Sequence, residues 1–419
     1  MYNLIIKNIW MAVRSVNGIH PSTLLNRKHL ARRDTVKAII NTKLITTEGI
    51  IWNGALTFEN ERIVEVGWRG QVDIPEDAEI IDARGKYTAP GFVDIHCHGA
   101  GDCNFHEDPL QCCQHFIAHG TTTVLPTLYH NLSLEEMIDA ARIIREHSLE
   151  GIGRIMEGLY MEGPYMNGIG SFQNGIKWHG PICSNDFQPL VDALGDMARV
   201  WAIDPARENI DTFMAYVKEV NPKAIFALGH SNATFSQCKR IAHYGVCLQT
   251  HHGDSGKAKG LAQGTIGAGC DEYTLYNPEM YAEVICDEVG VHVDPDMIKL
   301  VIRIKGEERI ILISDSMCDK GKYKNNAAAG IAYGPDLNYD DAGYLAGSHL
   351  TIDNACRNLM KHTAYGLCHA IRFATYNPAR LLGIDDRVGS LAPGKYANLL
   401  IMDDDVHIIQ VFLRGNAVL

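Results

Sequence analysis

Eight short apolar runs, each ending in polar or glycine residues, constrain the fold more than any other feature of the chain. They are FVDIHCH (92–98), TTTVLPTL (121–128), RIMEGLYMEG (154–163), VWAIDP (200–205), KAIFALGHS (223–231), VCLQTHH (246–252), AEVICDE (282–288) and RIILISDS (309–316). Helical patterns lie between most of them, such as LSLEEMIDAARIIREHS (132–148) and DPDMIKLVIRIKG (294–306). Strands that alternate with helices pair in parallel, and eight is the number that closes a barrel. The expectation is an α/β chain built on a (β/α)8 TIM barrel over residues 91–385.

The flanks read differently. From Val36 to Pro90 the sequence is short, β-prone and punctuated by turns (AIINTKLIT, GIIWNGALTFENERIVEVG, AEIIDARGKYTAPG), which suggests a small antiparallel unit. The stretch GSLAPGKYANLLIMDDDVHIIQVFLRGNAV, within residues 386–419, has the same texture. Each piece would be weak alone, so 36–90 and 386–419 are expected to join in one sheet. Residues 1–35 hold Lys7, Arg14, Arg27, Lys28, Arg32 and Arg33 against one acid, Asp34, and lack the apolar core of a secretory signal. The segment is somewhat like a transit peptide. It is read instead as a disordered basic extension or an over-extended start, and set apart from the fold.

Charge narrows the partners. Lys and Arg number 38 and Asp and Glu 50, a net charge of −12, which argues against nucleic acid or an anionic membrane. A small anion is still compatible, because a few local cations can bind one. No apolar run reaches the ~20 residues of a membrane helix. The 12 cysteines form no short repeating framework and no CxxC pair, which fits reduced thiols in the cytoplasm.

In a barrel of this kind chemistry gathers at the C-terminal ends of the strands. Those ends carry His96, His98, Glu162, His230, His251 and Asp315. Side chains alternate along a strand, so His96 and His98 share a face with Asp94 and Phe92, while Val93, Ile95 and Cys97 face the helices. An HxH pair alone is weak evidence, and a single strand-end histidine is more often a hydrogen-bonded structural residue. The weight comes from all of them falling on one rim. Of His251 and His252, only one can point inward. Glu162, in LYMEGPY, is a carboxylate that burial makes costly unless it is paired or bound to metal. The SNAT after His230 reads as a helix start.

Imidazoles with a carboxylate suit zinc, or another first-row ion such as iron, manganese or cobalt. The ligand count suggests two ions, held by His96, His98, Glu162, His230, His251 and Asp315. Two ions sharing a water would make it nucleophilic near neutral pH and polarise a carbonyl. Asp315, in ILISDSM, can then take the proton and pass it to a leaving group. The plainer alternative for Asp315 is a helix N-cap.

With these residues in hand, the chain resembles the amidohydrolase superfamily: PGFVDIHCHG is similar to its strand-one signature and GSLAPGKYANLLIMD to its C-terminal sheet. Within it, the N-acetylglucosamine-6-phosphate deacetylases are the most similar. EGPYMN, LGHSNAT, the His230–His251 pair, DEVGVHV, ISDSM and LAGSHLTIDNACRNL follow that family's blocks in its order. The resemblance implies a barrel flanked by a β-sandwich, a homodimer, and hydrolysis of the N-acetyl amide of an amino-sugar phosphate. It puts the family's metal Glu on Glu162, its metal His pair on His230 and His251, its catalytic Asp on Asp315 and its substrate His on His292. Relatives that keep HxH can hold a second metal and those that lose it hold one, so two ions are expected here.

Two departures bear on the substrate. After its last metal His the family usually has a large apolar residue, an aromatic and Asn-Ala-Met; here His252-Gly253-Asp254-Ser255-Gly256 follows, so Gly253 and Asp254 stand where the sugar is normally held. The family's phosphate-binding Arg-Glu-Pro-Gly segment has no counterpart. Lys257 and Lys259 are the nearby cations, although they lack arginine's bidentate fork and an ordinary solvated loop weighs equally. CDKGKYKNNAAAGIAYGPDLNYDDAG (318–343) is either a loop that closes over substrate or a surface excursion. The rival readings are a different N-acyl sugar such as N-acetylgalactosamine-6-phosphate, a cyclic amide, and a non-catalytic scaffold. Cyclic-amide relatives carry a modified lysine at a middle strand end, and a scaffold would be expected to lose ligands; this chain keeps Glu162 and the other five positions.

Overall fold

In a computed structural model, each of the eight apolar runs supplies one strand of a single parallel sheet. The structure describes residues 35–167, 177–178, 180–254, 267–318, 334–340 and 343–419. The basic segment 1–34 and most of the 318–343 loop therefore lie outside the described residues.

The compact unit Val36–Leu419 opens with β1 (Lys37–Thr46), β2 (Gly49–Glu59), β3 (Arg62–Trp68), β4 (Glu79–Asp82) and β5 (Tyr87–Pro90). β1, β2 and β3 form an antiparallel meander. The expected all-antiparallel pairing needs one correction: β4 and β5 both pair with β1 in parallel. The connection after β3 carries the chain back to the free edge of β1, where the two short strands share that edge one after the other, running in its direction.

β6 (Phe92–Cys97) begins the barrel, followed by a small ladder of β7 (Gly99–Ala100) and β8 (Cys103–Asn104). The remaining barrel strands are β9 (Thr121–Tyr129), β10 (Leu159–Glu162), β11 (Ala198–Ile203), β12 (Ile225–Leu228), β13 (Val246–Gln249), β14 (Tyr281–Ile285) and β15 (Ile310–Ile313). They stand in sequence order, each parallel to the next. Helices cover the outer face and the interior is filled, so these strands are buried on both faces and read as near-continuous apolar runs. The helix Leu134–His147 starts at a reciprocal cap, in which Ser133 and Glu136 each bond the other's backbone N–H. The helix after His230 starts later than expected. Its cap is Thr234 paired with Gln237, because the Ser231 hydroxyl donates to buried Asp204 instead.

The barrel closes between β6 and β15 just beyond the regular strands. His98 and Gly99 donate backbone N–H to the Ser316 carbonyl at 2.8 and 3.0 Å, and Asp315 donates to the His96 carbonyl at 2.9 Å. Below them the Asp94 carboxylate accepts from the Ser314 hydroxyl at 2.5 Å and from the His96 N–H at 3.2 Å.

After the hairpin of β16 (Leu337–Tyr339) and β17 (Leu345–Ser348), the chain ends in β18 (Leu399–Met402), β19 (Ile408–Leu413) and β20 (Asn416–Ala417). β18 pairs with β5, joining the two chain ends in one eight-stranded sheet as the texture of the flanks required. The sheet curls until Arg62 bridges Tyr396. It encloses its own apolar core, in which Phe58 and Phe412 meet edge to face at 5.6 Å.

Candidate metal centre

The rim above the C-terminal strand ends gathers the six expected residues into two groups: His96, His98 and Asp315, and Glu162, His230 and His251. In each group the ligand atoms lie within 4.8 Å of one another, and every residue is buried. His96 sits on β6, with His98 one residue past it, and Asp315 follows β15, so the first group straddles the barrel seam. The second is drawn from the ends of β10, β12 and β13. His230, His251 and Asp315 each adopt a left-handed backbone, with φ of 43°, 23° and 49°. Non-glycine residues pay for that conformation, and it persists only where the surroundings enforce it. At Asp315 they do: Gly347 on β17 passes so close that an added Cβ would lie 2.7 Å from the Asp315 carbonyl oxygen.

Glu162 joins the groups. Its Oε1 lies 2.9 Å from His230 Nε2 and 3.2 Å from His251 Nε2, and its Oε2 lies 3.2 Å from His98 Nε2. Asp315 Oδ1 is 3.1 Å from His98 Nε2 and 3.5 Å from His96 Nε2. His96 Nε2 also faces Glu162 Oε1 at 3.7 Å, and this buried nitrogen has no hydrogen bond. Tyr160 floors the site, its ring 4.3 Å from that of His96 and its hydroxyl 2.8 Å from Thr250 Oγ1.

The electrostatics show what the arrangement demands. Burial works against the charge on Glu162, yet hydrogen bonds from His230 and His251, with the His96 ring close by, hold its carboxyl well below the usual range. Burial also opposes the charge on Asp315, and the His96 and His98 rings outweigh it. Burial opposes protonation of His96 too, but Asp315, Glu162 and Glu283 raise it well above an ordinary imidazole. His251 is pushed up to about 9, its hydrogen bond to Glu162 overcoming burial, whereas burial wins at His230 and lowers it. The ion-pair partners described for Glu162 and Asp315 are all histidines. In the chain alone, positive charge must come from protonated rings. Divalent cations meet the same demand with neutral imidazoles, and this donor set of nitrogens and carboxylate oxygens suits them.

The other expected residues fall as follows. His292 is buried with Nδ1 3.1 Å from Asp287 and Nε2 3.3 Å from the Gly347 carbonyl; Asp254 and Asp315 are among the charges acting on it. Gly253 has φ 92°, and Asp254 Oδ2 lies 3.9 Å from His251 Nδ1. His252 points away from the site toward Asp271, 3.8 Å from its carboxylate, so only His251 of the adjacent pair reaches the centre. Cys97 packs outward, its thiol facing the Leu125 carbonyl. Lys257 and Lys259 lie outside the described residues. One residue of the centre escaped the sequence reading: Glu283, fully buried in the middle of β14, whose Oε2 is 3.1 Å from His96 Nδ1. The signal was present, since a lone acid inside the apolar run AEVIC needs a partner.

Residues 87–418 match the amidohydrolase family, and the chain belongs to that metal-dependent family. N-acetylglucosamine-6-phosphate deacetylase of Haemophilus influenzae is 27% identical over 394 residues, covering 90% of this chain and 98% of the relative. N-acetylgalactosamine-6-phosphate deacetylase of Escherichia coli O157:H7 is 28% identical over 353 residues, 81% of this chain and 90% of the relative. The crystal structure of N-acetylglucosamine-6-phosphate deacetylase from Pasteurella multocida matches at a TM-score of 0.78 and 24% identity, over 91% of this chain and 99% of that one. That likeness confirms the fold.

Proposed function

We propose that the chain hydrolyses the N-acetyl amide of N-acetylglucosamine-6-phosphate, giving acetate and glucosamine-6-phosphate. The observation that carries this reading is the convergence of the six rim residues in two adjoining groups. His96, His98 and Asp315 would hold one divalent ion, and Glu162, His230 and His251 the other. Zinc is the ion the nitrogen and carboxylate donors suit best. Bound there, such ions would lower the pKa of a water and polarise the acetyl carbonyl.

The chain's own residues do the rest. Asp315 is held ionised and clamped by its backbone, its N–H donating to His96 and its carbonyl accepting from Ser348 at 2.8 Å. It takes the proton of the attacking water. As the C–N bond breaks it returns that proton to the departing nitrogen, so the amine leaves neutral. His292, held by Asp287 and facing the same rim, contacts the sugar, with Gly253 and Asp254 beside it. Lys257 and Lys259 are the cations for the phosphate. From the resemblance we carry over a homodimer; the reading of the cysteines supports a cytoplasmic enzyme. Among the described residues no helix is long and apolar enough to cross a membrane.

A second reading is the 4-epimer, N-acetylgalactosamine-6-phosphate, favoured by the 28% identity to the deacetylase of that name and by the altered HHGDSG loop. Acetate release from both sugar phosphates and from free N-acetylglucosamine, with zinc supplied, tests the proposal. A strong preference for N-acetylglucosamine-6-phosphate supports it. Turnover confined to the epimer selects the second reading, and no acetate from any of the three overturns both.

A further inference from the structure

Glu283 is a carboxylate that touches two of the candidate ligands, His96 and His251, from behind. It lies in the middle of β14, between Ala282 and Val284, and is fully buried. Its Oε2 does two things at once. It lies 3.1 Å from His96 Nδ1, on the side of the ring away from the ion site, and it accepts the backbone N–H of His251 at 3.2 Å. An acceptor at Nδ1 makes that nitrogen the protonated one, which leaves Nε2 with its lone pair directed toward Asp315 and Glu162. The His251 bond holds a residue whose left-handed backbone costs free energy. A carboxylate in a dry strand interior is itself costly.

We propose that Glu283 is a positioning residue for the centre: it fixes the tautomer and ring orientation of His96, and so sets the affinity for the ion that His96 binds. The assignment rests on the metal reading above. Removing such a partner from a metal-binding histidine weakens metal affinity about 10–100-fold.

The test is metal binding by the full chain, read without any substrate. Zinc stoichiometry and affinity are measured by chelator competition, and the cobalt-loaded protein is read by its visible absorption, for wild type, Glu283→Ala, Glu283→Gln and His96→Ala. Wild type should hold two ions. Glu283→Ala should weaken one of them about 10–100-fold, the same ion that His96→Ala loses, and change the cobalt spectrum. Glu283→Gln keeps an amide oxygen for His96 Nδ1 and should recover part of the loss; it also serves if the alanine protein does not fold. Combining Glu283→Ala with His96→Ala should weaken the remaining ion by far less than Glu283→Ala alone weakens the first, since Glu283 reaches that ion only through the His251 backbone. Two ions bound by Glu283→Gln and Glu283→Ala with wild-type affinity and spectrum would overturn the assignment. So would an equal further loss in the double variant, which would place the effect outside His96. A wild type that binds no metal would sink the metal reading itself, a result distinct from either of these.

Discussion

The molecule buries carboxylates in two different ways. At Asp353 and Asp287, outside the two ligand groups, the partners include permanent donors as well as a histidine. Asp353 accepts from Arg357 at 2.9 Å and from Thr351 at 2.5 Å, beside His119. Asp287 accepts backbone N–H groups from Val289, Gly290, Val291 and His292 at 2.6 to 3.1 Å. Burial opposes both charges, and His119 at Asp353 and His292 at Asp287, together with those donors, win, taking each carboxyl to about 2. At Glu162 and Asp315 the described ion-pair partners are only imidazoles. An arginine or a backbone N–H cannot give up its place to a cation; a histidine can, by losing a proton and turning a lone pair to the ion. The structural carboxylates are closed and the rim carboxylates are left exchangeable. That difference separates the functional region from the rest of a barrel that is buried throughout.

Breaking the exchangeable set should have the largest effects. Glu162→Gln touches both groups, so bound zinc should fall from two equivalents to below one by elemental analysis. Turnover should fall by about 10³-fold or more, since a metal supplies several kcal/mol and each 1.36 kcal/mol is tenfold. Asp315→Asn keeps an oxygen ligand but no base, and acetate release should drop roughly 10²–10⁴-fold with the Glu162 group still loaded. Full turnover with full metal would remove Asp315 from the proton transfer. Chelation should lower the melting temperature, by an amount equivalent to about 2.7 kcal/mol if free zinc had stood at 100 times its Kd. An unchanged melting curve would mean that the rim does not use a cation.

The closed set should behave in the opposite way. Asp353→Asn should leave metal content untouched and cost about 2 kcal/mol at neutral pH, read by urea unfolding. The sign follows from the depressed carboxyl. Below the ordinary value of 3.8 the unfolded chain takes up a proton that the folded protein still refuses, so this stabilisation is lost as pH falls toward about 2. The variant and wild type should therefore converge in acid. A constant gap across that range would show that Asp353 acts by packing rather than by charge.

Much of this was legible in the residues themselves. The eight runs each supplied a barrel strand because a strand buried on both faces must be apolar along its length, and that is a local property. Strand-end histidines and acids were legible because a polar residue closing such a run needs a reason. Glu283 was not seen, because it lies inside its run rather than at the end. The parallel pairing of β4 and β5 with β1 was not seen either, since residues 79–90 carry no mark of direction.

The sequence by itself determined the strand count, the inward face shared by His96 and His98, and the choice of six candidate ligands. Only the tertiary structure decided that they divide three and three, that the first group sits on the barrel seam, and that Glu162 joins it to the second. His96 and Asp315 are brought together by closure of the first strand on the last, and no local pattern encodes that contact. The left-handed turns at His251 and Asp315 have the same origin: neighbours distant in the chain, Glu283 and Gly347, hold them in a conformation their own residue types disfavour.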